Sequence, residues 1–284
     1  MDAYGGQAVI EGVMMRSKNF MSTAVRLGNG KIKVRTEKIG AFPFSKIFFI
    51  RGMINLFGTL RMGLKALEWS ANQQVGEDES GSWIAVLSVI FGIAAALAVF
   101  KLFPFFVASI APVDNIFLFN LIDASVKLCL FTGYVLAISL FDDVKRIFQY
   151  HGAEHKVIGC LEAGKVLSAK DSAVYCKEHR RCGTNFVFTV IVISMLVYLF
   201  IPLKLGFWQN FSLRLALLPV IAGVSYEIIK LSGKDTFFTK IISYPGIIMQ
   251  KLTTREPDKK QLEVAVVAMK SVVSAEKLFS STLS

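Results

Sequence analysis

The chain has 284 residues, 54% of them hydrophobic and 24 of them Phe, with a mean hydropathy of +0.53 and a net charge of +11. That is too apolar for an ordinary soluble domain of this length. No nucleic-acid-binding motif accompanies the positive charge, which excludes nucleic acid as the reading of it.

In chain order, the start MDAYGGQAVIEGV lacks a basic segment followed by an apolar core, so no cleavable signal peptide is expected. Gly5, Gly6 and Gly12 in GGQAVIEGVMMR suggest tight backbone, with Gln7 and Glu11 as polar groups among apolar ones. Asn29-Gly30 between two runs of β-forming residues is a hairpin signal and predicts strands at 23–27 and 31–36. The stretch PFSKIFFIRGMINLFGTLRMGLKALEWSA is apolar and helical but interrupted by Lys46, Arg51, Arg61 and Lys65. It reads either as an interfacial amphipathic helix, basic face toward lipid headgroups, or as a helix packed on the soluble part. NQQVGEDESGS follows as a polar linker.

Four apolar runs, at 83–110, 116–141, 186–203 and 213–231, approach or exceed the roughly 20 residues a helix needs to cross a bilayer. Lys and Arg number eleven in 1–82, eight in 141–184 and nine from Lys230 onward, against none in 109–117 and two in 202–214. Basic residues collect on the cytoplasmic side, so both termini and the 141–184 loop are expected inside. The expected class is a mainly α-helical integral membrane protein of a bacterial cytoplasmic membrane. It has about four transmembrane helices, a small N-terminal β-hairpin and cytosolic or interfacial helices. Its segments are a cytosolic 1–82, transmembrane hairpins at 83–141 and 186–231, a cytosolic loop at 142–185 and cytosolic C-terminal helices at 232–284. Asp123 and Lys127, inside the second span at i,i+4, read either as a mutually neutralising pair or as part of an ion path. A transporter built on them would need a homo-oligomer, because four spans in one copy are few.

All three histidines lie within about thirty residues, in YHGAEHKVIG and EHRRCGTN. His151 and His155, at i and i+4, share one helix face and can grip one cation, with Glu154 on the flank. The pattern H-x-x-E-H is the inverted form of a metallopeptidase motif. Tetrahedral zinc needs a third protein ligand, and a catalytic site leaves the fourth position to water. His179 and Cys182, in H-x-x-C-G, are the candidates. If all four side chains bind, the site is closed and structural. If three bind, water can enter and Glu154 has an acid/base role. Zinc suits mixed His/Cys ligands better than iron or manganese does. Glu162 continues the His155 face, and Glu227 lies at the inner end of the fourth span. The plain alternative is a hydrogen-bonded histidine pair at the membrane surface, with His179 unrelated. A Cys182–His179 nucleophile pair has poor geometry, being three residues apart in one turn. Cys160, Cys176 and Cys182 fall in the loop assigned to the reducing side, where thiol or metal chemistry is expected before a disulfide.

GGQAVIEGVMMR, RGMINLFGTLRMG, YHGAEHK, HRRCGTNF, SYE and QKLTTREP, in this order, resemble the YqhQ-like family of bacterial membrane proteins, a domain of unknown function described as a predicted metal-dependent enzyme. The resemblance covers nearly the whole chain. It implies metal ligands among His151, His155, His179 and Cys182, with Glu154 as acid/base and Gln7, Glu11, Glu227 and Arg255 gathered nearby. One departure is Arg180, where the family has a proline. The expected function is a zinc-dependent hydrolase at the cytoplasmic membrane surface, acting on a membrane-protein or lipid-linked substrate. The rival is a non-enzymatic scaffold, or an assembly or translocation factor, with a structural zinc.

Overall fold

The computed structural model describes residues 4–40, 50–75, 82–202, 204–232 and 237–283. The expected hairpin is half of a four-stranded antiparallel sheet in the order β1-β2-β3-β4. The strands are β1 (Gly5–Val9), β2 (Gly12–Arg16), β3 (Phe20–Arg26) and β4 (Ile32–Lys38). Asn29-Gly30 forms the last turn, with Gly30 at φ 82°. The first turn, Ile10-Glu11, carries no glycine, and Glu11 takes the left-handed conformation at φ 52°. An Arg146 guanidinium fork on the Glu11 carboxylate, at 2.6 and 2.5 Å, holds it there.

Both faces of β2 and β3 are covered, while β4 is largely exposed. Val13, Met15 and Ala24 join a core made with α5 (Asp142–Glu162) and α11 (Lys259–Leu283). Val9, Met14, Met21 and Val25 pack on Ala66 and Trp69 of α1 (Ile50–Val75). Burying each of the adjacent Val13, Met14 and Met15 contributes about 1.5–3 kcal/mol. With no wet face, β2 shows no polar alternation. The second half of α1 therefore packs on the sheet. Its Lys65 pairs with Glu37 at 2.7 Å. Lys46 lies outside the described residues.

Two candidate spans follow. The first, Ile90–Ile110, runs through α2 (Ser82–Leu97), a π-helical turn at Ala98–Leu102 and α3 (Phe103–Ile110). The second coincides with α4 (Ile116–Ile138). Both are long and apolar enough to cross a bilayer, and Phe91, Ile93, Phe103 and Phe106 stand exposed on the first. The short helix α6 (Ala169–Ala173) lies in the loop after α5. The two later spans come out differently. The helix α7 (Gly183–Tyr198) is apolar but only 16 residues long, ending in a turn before Pro202. The helices α8 (Phe207–Ala216) and α9 (Leu218–Ser232) form a pair bent by 40°, a third span only if counted as one. Among the described residues there are thus two to three apolar helices of spanning length, not a clear set of four. The tail forms two helices, α10 (Phe237–Thr253) and α11.

Asp123 and Lys127 do form an ion pair, and both are buried. Lys101 and Arg214 are buried beside them. The pair is thus part of a larger buried polar cluster.

The link from the tail to α5 is a backbone strap. Arg255 donates its N–H to the Phe148 carbonyl at 2.9 Å. A Cβ on Gly152 would stand 2.2 Å from the Arg255 carbonyl oxygen. Gly152→Ala is expected to lower stability by about 1–3 kcal/mol through overpacking. Gly92→Ala, on the exposed side of α2 with open space at its Cβ, is expected to be neutral or mildly stabilising. Thermal unfolding of the two variants in detergent checks the contrast.

Candidate metal centre

The site is built on α5, whose first turn carries Asp142 and Asp143, complementing the helix dipole. His151 and His155 lie one turn apart, with ring centroids 4.5 Å apart. The His151 Nδ1 is 2.8 Å from the Thr253 carbonyl, and the His155 Nδ1 is 2.6 Å from the Lys177 carbonyl. A carbonyl can only accept, so each Nδ1 must carry the proton. Each Nε2 then presents its lone pair, as second-shell carbonyls arrange for metal-binding histidines.

The His151 Nε2 lies 3.1 Å from the Cys182 Sγ. One ligand atom from each of His151, His155 and Cys182 lies within 4.8 Å of the others. Zinc bonds of about 2.0 Å to nitrogen and about 2.3 Å to sulfur require ligand atoms separated by about 3–4 Å in a tetrahedron, so this donor set fits. Cys182 N-caps α7 and accepts the Thr184 N–H at 3.4 Å.

His179 is placed differently. Its ring centroid is 5.7 Å from that of His155. Its Nε2 faces the Glu162 carboxylate at 3.2 Å, and its Nδ1 accepts the Arg181 N–H at 3.3 Å. Arg181 also pairs with Glu162, and the hydrogen bond from His179, with the nearby Arg181 charge, holds that carboxyl below its ordinary value. Both nitrogens of His179 thus have partners outside the three-atom cluster. Among the described residues, the group whose ligand atoms lie together is His151, His155 and Cys182, without His179.

Glu154 is buried against β1 and accepts the Gly6 N–H, and a Cβ on Gly6 would press on its Cγ at 2.9 Å. Burial pushes its carboxyl above the ordinary range, opposed by the nearby His151 and His179. Burial likewise pushes His155 below its ordinary value.

The remaining expected residues spread out. Gln7 points to the other face of the sheet, against Gly63 of α1. Glu11 sits on Arg146 and Tyr150, one turn of α5 before His151. Glu227 lies on α9, outside the three-atom cluster. Arg255 contributes its backbone to the strap, and its side chain is exposed.

Two residues that sequence reasoning passed over hold the site together. The fully buried Gln250 clamps the His179 peptide, accepting its N–H and donating to its carbonyl, both at 2.8 Å. The buried Lys156 donates to the Ala173 and Tyr175 carbonyls at 2.8 and 2.9 Å and pairs with Glu256 at 2.6 Å. The signal for Lys156 was a cation on the apolar face of a helix.

A family described as "Protein of unknown function (DUF1385)" matches residues 47–275. "Uncharacterized protein YqhQ" of Bacillus subtilis (strain 168) is 34% identical over 299 aligned positions, covering 97% of this chain and 94% of the relative. The chain belongs to this YqhQ-like family. No solved structure matches it. The family stretch holds α5, the Cys182 turn and the strap, and begins after the four strands.

In metal-free protein, His155 and Glu154 impose opposite pH dependences. The folded chain resists protonating His155, so its stability contribution is lost as pH falls below the unfolded value of 6.5. The folded chain keeps the Glu154 proton longer, so that contribution is lost as pH rises above 4.5. On going from about pH 7.5 to about pH 5.5, His155→Gln should shrink the loss of melting temperature and Glu154→Gln should enlarge it, as read by thermal unfolding in chelator.

Proposed function

We propose that this protein is a membrane-integral, zinc-dependent hydrolase whose site lies at the cytoplasmic membrane surface, with His151, His155 and Cys182 as ligands. The observation that carries this reading is the pair of backbone carbonyls that fix both Nδ1 protons and aim both Nε2 lone pairs toward the Cys182 sulfur. Bound zinc would supply a polarised water at neutral pH. The chain's own part is to hold the ligands, exclude bulk solvent on the sheet side and offer Glu154 as the proton-carrying group beside the cluster. A cleft of about 470 Å³ near the site is lined by Gln149, Lys177, Lys251, Thr254, Arg255 and Glu256. Leu136 and Ser139, at the end of a candidate span, also line it. Such a lining suits a lipid-linked or membrane-protein substrate with an anionic group. Both termini and the 141–184 loop are assigned to the cytoplasmic side by their basic residues.

A structural role is the second reading, because the three ligands and their carbonyl partners join α5, the 177–182 loop and the end of α10. A zinc there would staple a scaffold. Purified protein should carry close to one equivalent of zinc by elemental mass spectrometry, and Cys182→Ser should lower it at least about tenfold. Glu154→Gln should keep metal and fold yet fail to complement a deletion strain. Full complementation by that variant favours the staple, and wild-type protein without transition metal removes both readings.

A further inference from the structure

Far from the histidines, a second polar cluster sits among the apolar helices. Lys101, in the π-helical turn Ala98–Leu102, donates to the Tyr198 hydroxyl at 2.5 Å. Lys127 pairs with the Asp123 Oδ2, which Arg214 approaches at 3.5 Å. Arg214 also donates to the Asn210 and Asn120 side-chain oxygens at 2.7 and 2.8 Å. Lys101 and Lys127 are each 7% exposed, Asp123 2% and Arg214 1%. Three buried basic side chains thus face one carboxylate among the described residues.

Two atoms in the cluster have no hydrogen-bond partner among the described residues, the Asn120 Nδ2 and the Asp123 Oδ1, one turn apart on α4. One is a donor and the other an acceptor. Lys101 and Lys127 each have further ammonium hydrogens to give beyond the bonds described. An anion would balance the cations and take the Asn120 N–H, but an oxygen without a hydrogen would be repelled by the Asp123 Oδ1. A protonated phosphate oxygen satisfies both, accepting from the cations and donating its own hydrogen to Asp123. A phosphodiester has no such hydrogen.

We propose that this cluster binds a phosphate with a free P–OH, either the monoester headgroup of a membrane lipid or inorganic phosphate. An apolar cavity lies alongside. A cavity of about 700 Å³ is lined by Ala98, Leu102, Phe103, Phe106, Phe207 and Trp208. Ala98 and Leu102 lie in the same π-helical turn as Lys101, at a break of helical regularity common at functional sites. Phe207 packs on Phe105, whose ring in turn lies under the Arg214 guanidinium. The walls of this cavity suit acyl chains.

The test uses the full chain, delipidated in neutral detergent, with native mass spectrometry of added phosphatidic acid, phosphatidylglycerol, phosphatidylcholine or inorganic phosphate. The wild-type chain should retain phosphatidic acid at least about tenfold better than phosphatidylglycerol, the value of one hydrogen bond to a charged group. Lys101→Met should lower that retention by about tenfold or more. Asp123→Asn gives the sharper sign. Removing a negative charge should tighten a purely electrostatic anion site, whereas here it should abolish the preference for the monoester. Displacement of phosphatidic acid by inorganic phosphate assigns the site to the free ion, and resistance to it assigns the site to the lipid; both support the phosphate chemistry. Equal retention of the lipids by the wild-type chain, or a monoester preference that survives in Asp123→Asn, overturns the proposal. The wild-type selectivity decides by itself if either variant fails to fold.

Discussion

Two hydrogen bonds from imidazole Nδ1 atoms to backbone carbonyls govern the candidate metal centre. Without the Thr253 and Lys177 carbonyls, His151 and His155 would be two rings on one helix, free to choose tautomer and rotamer. With them, only the Nε2 lone pairs remain to meet Cys182. Neither carbonyl belongs to α5, so tertiary structure must deliver both. Gln250 clamps the loop that precedes Cys182, Lys156 gathers the carbonyls just before Lys177, and the Arg255 backbone closes on Gly152. The β-sheet and α11 bury the other side of α5, so the helix cannot rotate away.

The same chain carries two polar clusters of opposite design. The histidine cluster offers lone pairs, which on the reading proposed above would receive a cation. The Lys101–Lys127–Arg214 cluster offers N–H groups around one carboxylate, which on the proposal above would receive an anion. In each, neighbours hold the polar groups in a fixed arrangement: carbonyls and a clamp in the first, and in the second a cage of Phe105, Phe119 and Tyr198 around Arg214. Buried groups held this firmly lose little entropy on binding, which favours specific ligands over bulk solvent.

Much of the first cluster was legible in the sequence because helical spacing is short-range: His151 and His155 at i,i+4 had to share a face. Cys182 was legible as a residue type but not as a position, since a loop decides whether it reaches α5. His179 shows the limit. Its spacing to Cys182 suits a ligand, yet Glu162 and Arg181 engage its ring nitrogens. The last hairpin announced itself through Asn29-Gly30, whereas β1 and β2 did not. Their turn holds Glu11 at positive φ through a distant arginine, and their residues are buried on both faces, which erases the period-two pattern. Hydropathy marked the apolar runs but not their geometry. The third run ends early as a 16-residue helix, and the fourth breaks where α8 meets α9, with Pro219 just past the joint. Gln250 carried no local signal of its role, and Lys156 only that of a cation on the apolar face of a helix, because both act on backbone groups that only the fold brings to them.

The central claim is a metal ion held by two imidazole nitrogens and one thiolate. Zinc K-edge X-ray absorption of the purified, zinc-loaded protein tests it most directly. The account predicts two nitrogen ligands at about 2.0 Å, one sulfur at about 2.3 Å and one further light atom. A first shell without sulfur, or one dominated by oxygen, would contradict it.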